Sequence, residues 1–106
     1  MRSRFFDENI SNIIAISKKV LGQLKYDYQC SENSMEESAV IIGLKNDYKL
    51  KLELKQARKG IVKVTVEVEK PIKTILDYEN KKRLEVSLLN SIDTFLQPAG
   101  EIELGI

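Results

Sequence analysis

The side chains that could carry out chemistry are one cysteine, four tyrosines, and the carboxylates and lysines, because the 106-residue chain contains no histidine. The triads that activate serine or cysteine with a histidine base are therefore excluded. Cys30 is the only thiol, and its nearest charged neighbours in sequence, Asp27 and Glu32, disfavour the thiolate that a nucleophile requires. Neither GxGxxG nor GxxxxGK(S/T) occurs, so no phosphate-binding loop is indicated. We expect a protein that is not an enzyme and that binds no cofactor.

The acidic stretch that most suggests a metal site runs from residue 27 to residue 37. It contains four carboxylates, which are the kind of oxygen ligand that calcium prefers: Asp27, Glu32, Glu36 and Glu37. Calcium loops place their ligands at fixed spacing around a turn glycine, and this stretch has neither feature. Histidine-rich zinc sites are excluded as well. We therefore expect no metal site.

Three tyrosines offer a different chemistry. Tyr26, Tyr28 and Tyr48 could line a cavity for a small apolar ligand, with their hydroxyls supplying a few polar contacts. The alternative is that their rings fill the edge of the core while the hydroxyls face water, as is common for tyrosine. A small apolar ligand carrier is one of the alternative functions that we consider.

The charge of the chain is nearly balanced, with 17 Lys and Arg against 16 Asp and Glu and a formal net charge of +1. This balance indicates neither a strongly basic nucleic-acid binder nor an acidic mimic. The apolar stretch at residues 10–16 is interrupted by Ser11 and Asn12, so we expect neither a secretory leader nor a membrane span. A lone cysteine suits a reducing compartment, and we expect a cytoplasmic protein.

Two hydrophobic periodicities divide the chain into the elements that must position these residues. A repeat of three to four residues predicts amphipathic helices over about residues 7–24 and from the region of Pro71 to just before Pro98. Alternation with a period of two predicts four intervening strands: Tyr26–Cys30, Ala39–Leu44, Tyr48–Leu54 and Val62–Val68.

The third and fourth predicted strands carry the clearest pattern, with leucines or valines alternating with polar residues. A five-residue loop at residues 56–60 predicts that residues whose numbers sum to 116 lie opposite one another. This register pairs Glu53 with Lys63 and Lys49 with Glu67 on the polar face. We therefore expect an antiparallel hairpin with one buried face and one face in water.

The second predicted strand has apolar residues on both faces. A three-residue loop would place Leu44 opposite Tyr48 and Ile42 opposite Leu50, which joins apolar faces. A two-residue loop would place Leu44 opposite Lys49 and mix the faces. We therefore expect the three-residue loop.

These elements predict an α+β fold in the order α-β-β-β-β-α. It is a two-layer sandwich, with an antiparallel meander and both helices packed on one face of the sheet. The opposite face of the sheet is expected to be charged and exposed. We expect residues 1–98 to form a single α+β domain and residues 99–106 to form a C-terminal apolar tail.

A basic cluster formed by Lys81, Lys82 and Arg83 lies near the start of the second predicted helix. The cluster and the order of elements resemble the double-stranded RNA-binding domain, in which such a cluster contacts phosphates. The resemblance implies an RNA- or DNA-binding module, which is the second alternative function. The chain departs from that family because Pro71–Asn80 separates the cluster from the last strand, and because it lacks the histidine of the family's first loop between strands.

The predicted tail alternates apolar and polar residues. Its apolar members, Ile102, Leu104 and Ile106, would lie on one side of an extended segment, which could join an open sheet edge of this chain or of a second copy. With no catalytic constellation in the chain, this pattern favours a small protein-interaction or assembly domain. We expect it to self-associate, as a homodimer, through a sheet edge or the tail.

Overall fold

The computed structural model describes residues 2–45, 48–69 and 75–96, with side chains from residue 79 onward in the last range. Within these ranges the chain forms five strands and two helices: β1 (Arg2–Phe6), α1 (Ile10–Gln23), β2 (Asp27–Asn33), β3 (Ser38–Lys45), β4 (Tyr48–Arg58), β5 (Ile61–Glu69) and α2 (Ile75–Leu96). The predicted α+β class is confirmed.

The strands form one antiparallel sheet in the order β1-β5-β4-β3-β2. The run from β2 to β5 is the predicted meander, and α1 connects β1 at one edge to β2 at the other. The two helices pack against each other and on one face of the sheet, with α1 over the strands from β2 to β5 and α2 over β5 and β1. This arrangement leaves the second face of the sheet, the outer face, uncovered by the described helices.

β1 is a strand that the sequence pattern does not predict. It pairs with β5 from Arg2, opposite Val66, to Phe6. Two of its three side chains on the helix-covered face are arginines, and Arg4 Nη2 donates a hydrogen bond of 3.0 Å to Asn90 Oδ1 in α2. Because polar residues stand where apolar residues usually alternate, the segment lacks the pattern of a half-buried strand.

The bounds of α1 follow from local chemistry. Asn9 is the N-cap, and its Oδ1 accepts a hydrogen bond of 2.9 Å from the backbone N–H of Asn12. The apolar stripe that predicted the helix faces the sheet, where Ile13 and Leu21 are fully buried. The predicted helix is confirmed, although it begins at Ile10, about one turn later than the pattern suggested.

The core lies between the helices and the sheet, on the face that the alternation predicted. The helix-facing residues of β4 and β5 are at most 1% exposed: Leu50, Leu52, Leu54, Val62, Val64, Val66 and Val68. Burial of an aliphatic side chain of this size contributes roughly 1.5–3 kcal/mol relative to leaving it in water. These two strands therefore supply a large part of the stabilising burial.

The predicted register of the β4–β5 hairpin is wrong by two residues. Opposing residues have numbers that sum to 118, as for Lys49 and Glu69. The cause is the turn: the ladder continues past Gln56 through an irregularity to Arg58, and Gly60 has a φ of 79°, which glycine adopts without strain. A shift of two residues keeps every side chain on its face, so the core is unchanged while the polar pairs change.

The ion pairs of this hairpin differ accordingly. Neither of the predicted pairs is directly opposed: Glu53 with Lys63, and Lys49 with Glu67. Instead, Lys49 Nζ lies 3.5 Å from Glu69 Oε2, and Lys51 Nζ lies 2.9 Å from Glu53 Oε1 along the same strand. The hydrogen bond to Glu53 and the charge of its carboxylate raise the pKa of Lys51. Such exposed pairs contribute little to stability.

The predicted β3–β4 register is also wrong. Lys45 pairs with Tyr48 and Leu44 with Lys49, which corresponds to the two-residue connection; residues 46 and 47 themselves lie outside the described residues. The side of β3 that faces the helices is therefore the one with Ile41, which is fully buried, whereas Leu44 is 53% exposed on the outer face. The sequence pattern had placed the opposite row, which includes Ile42 and Leu44, in the core.

Gly43 is the helix-facing residue of β3 against which Tyr26 and Leu21 pack. A Cβ atom at Gly43 would lie 3.4 Å from Tyr26 Cδ2 and 3.6 Å from Leu21 Cδ2, which is ordinary van der Waals contact. A methyl group would therefore fit at this position, whereas a larger side chain would extend into the space that Tyr26 and Leu21 fill.

The predicted α2 is confirmed, and Leu88, Leu89 and Ile92 of its apolar stripe are buried. The periodicity of the second predicted helix places Glu85 on its water-facing side, and this expectation is wrong, since the residue is only 2% exposed. Glu85 Oε2 accepts a hydrogen bond of 3.1 Å from the backbone N–H of Val68 in β5. A buried carboxylate is acceptable where it satisfies a buried backbone donor.

Ser17 is a buried polar residue of α1 whose replacement should stabilise the protein. Its side chain is fully buried, and its Oγ has no hydrogen-bond partner within the described part of the chain. Ser17→Ala removes a desolvated hydroxyl and improves helix propensity, so we expect the free energy of unfolding to rise by about 0.5–2 kcal/mol. Urea denaturation measures the change. The control is Ser11→Ala at an exposed position of the same helix, with an expected gain of about 0.5 kcal/mol or less.

Candidate interaction surface

The β2 edge is the side of β2 that points away from β3. No strand of the described ranges pairs with it, because β2 ends the sheet. Only Cys30 among its seven residues is half-buried, and the others are exposed. The strand predicted to end at Cys30 continues over residues 31–33. These three residues are polar and so lack the apolar alternation by which strands are recognised.

The register determines which backbone groups of β2 point outward. The N–H of Gln56 donates a hydrogen bond of 2.9 Å to the C=O of Glu37, a pair that extends the β3–β4 register by one position. Hydrogen-bonded and non-hydrogen-bonded pairs alternate along antiparallel strands, so the odd-numbered residues of β3 bond to β4 and its even-numbered residues bond to β2. The β2–β3 register then leaves the N–H and C=O of Tyr28, Cys30 and Glu32 directed to the open side.

The side chains of these three residues lie on the helix-covered face, beside α1. Tyr28 is 40% exposed, and Cys30 packs against the margin of the core. Burial raises the pKa of the Cys30 thiol, an effect that the charge of Lys18 opposes and that of Glu32 reinforces. The thiol is therefore protonated at neutral pH, with opposite charges from Lys18 and Glu32 near it.

The β1 edge, on the opposite side of the sheet, is shorter and basic. β1 has five residues, including Arg2 and Arg4. The alternation of hydrogen-bonded pairs leaves only the backbone groups of Ser3 and Phe5 directed outward. The two edges therefore differ in length and in charge.

The outer face of the sheet combines charged residues with an apolar row on β3. Val40 and Ile42 are half-buried there, and Leu44 is 53% exposed. Phe5 of β1, at 61% exposed, lies on the same face. The face is thus less uniformly charged than the alternation in β4 and β5 suggested, because the β3 register turns these apolar residues outward.

The structure brings together two of the three tyrosines that were candidates for a ligand cavity. Tyr26 is 8% exposed and packs over Gly43, and burial together with the nearby Tyr48 raises its pKa. Lys45 Nζ lies 5.4 Å from the centroid of the Tyr26 ring. Tyr28 lies on β2 opposite Gly43 and contributes to the β2 edge instead.

Two residues of the basic cluster lie together on α2. Lys82 and Arg83 are exposed and line a surface cavity of about 490 Å³ along the helix, whereas Lys81 is half-buried and does not line it. The rest of the lining includes uncharged polar residues such as Asn90. Glu79 lies about one helical turn before Lys82 and Arg83, so a negative charge is close to the two cations.

The remaining predictions concern the tail, metals and membranes. Ile102, Leu104 and Ile106 lie outside the described residues. Over the described ranges, no group of three or more cysteine or acidic side chains is arranged to hold a metal ion. In the same part of the chain, neither helix has the length and apolar character needed to cross a membrane.

Comparison with protein-family models and with curated proteins identifies no relative. No protein-family model matches the sequence, and no curated protein matches it. The functional interpretation therefore depends on the geometry of the chain's own residues.

Proposed function

We propose that this chain is a small, non-enzymatic protein-interaction domain of the cytoplasm that assembles with further copies of itself through its sheet. The observation that carries the proposal is the β2 edge, the side of a seven-residue strand that no described strand occupies, on a strand with almost all of its side chains exposed. Open strand edges pair with other strands unless lysine, proline, a bulge or a covering segment prevents it. β2 contains neither lysine nor proline.

The outer face supports the same proposal. Its apolar row on β3 and the exposed ring of Phe5 are surfaces that a partner would shield from water. The nearly balanced charge of the chain does not oppose self-association, since two copies with a net charge of +1 repel each other weakly. The apolar tail beyond residue 98 is a second route by which a copy could be recruited.

Light scattering after size-exclusion chromatography tests this proposal. We expect the full chain to have a mass that is a multiple of 12.1 kDa and that falls on dilution. A variant that ends at Pro98 separates the two routes, because a sheet-mediated assembly keeps its mass and a tail-mediated assembly loses it. A monomer of 12.1 kDa throughout the micromolar range would contradict self-association.

A further inference from the structure

We propose that β2 pairs antiparallel with β2 of a second copy, with Cys30 opposite Cys30 of the partner subunit, so that the two sheets become one continuous sheet. This inference rests on the proposed function and specifies its partner, strand and register. The two-fold axis then passes perpendicular to the sheet beside Cys30, and both helical layers lie on the same side.

The backbone groups of the β2 edge match this register. Tyr28, Cys30 and Glu32 are the residues that direct N–H and C=O outward, and their numbers are symmetric about 30. Tyr28 therefore lies opposite Glu32 of the partner subunit, Cys30 opposite its own copy, and Glu32 opposite Tyr28 of the partner subunit. Each of these pairs is of the hydrogen-bonded type and exchanges two N–H···O=C bonds.

The side chains of the β2 edge are also compatible with it. Asp27 lies opposite Asn33 of the partner subunit, and Gln29 opposite Ser31 of the partner subunit. No like charges face each other in any of these pairs. On the helix-covered face, Lys18 and Glu32 both lie near Cys30, and because Cys30 lies beside the axis, the lysine of one copy approaches the glutamate of the other. Opposite charges across an interface favour this register over alternatives.

The β1 edge does not offer the same solution. The symmetric antiparallel pairing that uses its outward groups, Ser3 opposite Phe5 of the partner subunit, places Arg4 opposite Arg4 of the partner subunit. That position is a non-hydrogen-bonded pair, in which side chains are closest and like charges are destabilising. Pairing of β1 with β2 of another copy would not close and would build a filament. The β2 edge is thus the one that forms a closed dimer.

Cysteine cross-linking tests the register directly. The Cα atoms of a hydrogen-bonded antiparallel pair are about 5.5 Å apart, and their Cβ atoms lie near the upper end of about 4.5–5.5 Å, which is longer than a disulfide prefers. A short reagent with two thiol-reactive groups, ethane-1,2-diyl bismethanethiosulfonate, spans this distance and should give a covalent dimer through Cys30. Cys30→Ser should give none while keeping the non-covalent dimer. The cross-linked yield should fall when the protein is diluted before the reagent is added, because dilution dissociates the non-covalent dimer.

A pair of charge variants provides a matched test at two exposed positions. Gln29→Glu with Ser31→Glu places like charges opposite each other twice across the axis, and should weaken the dimer at least about tenfold. Gln29→Glu with Ser31→Lys changes the same two positions but places opposite charges together, and should retain or increase the affinity. Sedimentation velocity measures both, and added salt should reduce the difference between them.

The outcomes separate the register from the proposed function. A Cys30-linked dimer with the expected order of the two charge variants supports both. A dimer that ignores the charge variants and does not cross-link overturns the β2 register and leaves self-association through another surface. A chain that stays monomeric at all concentrations overturns both. Circular dichroism of each variant should match that of the unmodified chain, since all substituted side chains are exposed or half-buried.

Discussion

Replacing Ile41 with alanine should lower the free energy of unfolding by about 2–5 kcal/mol, whereas Ile42→Ala should lower it by about 1 kcal/mol or less. The two residues are adjacent in β3 and identical in type, but they face opposite sides of the sheet. Ile41 is fully buried opposite Leu52, and Ile42 is half-buried on the outer face opposite Lys51. Truncation of Ile41 leaves a cavity in the core, whereas truncation of Ile42 removes only the limited apolar burial of a half-buried side chain on the outer face.

Urea denaturation of both variants measures this difference. The dependence of the free energy on urea should be similar in the two, so that the shift in midpoint reports stability. If Ile41→Ala does not fold, the pair Ile41→Val and Ile42→Val preserves the comparison, with about 0.5–1.5 kcal/mol expected at Ile41. Equal losses at the two positions, or a larger loss at Ile42, would contradict the β3 orientation and restore the register expected from the sequence pattern.

Replacing Glu85 with alanine should lower the free energy of unfolding by about 1–3 kcal/mol, because it leaves the N–H of Val68 buried without its acceptor. The even-numbered residues of β5 direct their backbone groups toward β1. The described part of β1 begins at Arg2, opposite Val66, so Val68 lies beyond it. The carboxylate of Glu85, delivered by α2, takes the place of a strand at this point.

Hydrogen exchange at the Val68 amide gives this prediction a local readout. In Glu85→Ala that amide should exchange faster than in the unmodified chain by more than the global loss of stability accounts for. Glu85→Gln keeps an acceptor oxygen and should lose less stability than the alanine variant. Asp93→Ala removes an exposed carboxylate from the same helix and should change the free energy by about 0.5 kcal/mol or less. A loss at Asp93 as large as that at Glu85 would contradict a specific role for the hydrogen bond.

The helices and the faces of β4 and β5 were predictable from the sequence. The stripe of α1 and the alternation of leucine and valine state directly which side chains leave water, and burial of those side chains dominates the free energy. These features depend on neighbours in sequence, and the structure confirms them.

The registers were not predictable, because hydrophobic pattern alone does not distinguish them. In the predicted register of β4 and β5 the numbers of opposing residues sum to 116, and in the observed register they sum to 118. This shift of two residues leaves every valine and leucine on the same face. The choice depends on how the turn at Gly60 is built, and the ion pairs that suggested the other register contribute little. In β3, both faces are apolar, so the hydrophobic pattern does not select one, and in the structure the face with Gly43 packs against Tyr26 and Leu21.

The interaction surface also combines features that the sequence determines with features that only the tertiary structure determines. The sequence alone determined that two amphipathic helices flank a run of strands with one apolar face, and that no histidine-based chemistry is available, because both follow from residue type and spacing. The tertiary structure decided that β2 is the last described strand of the sheet, that its three even-numbered residues direct backbone groups to a side that no described strand occupies, and that Glu85 is buried. Those properties arise from hydrogen bonds between segments distant in sequence, which form only when the strands are side by side.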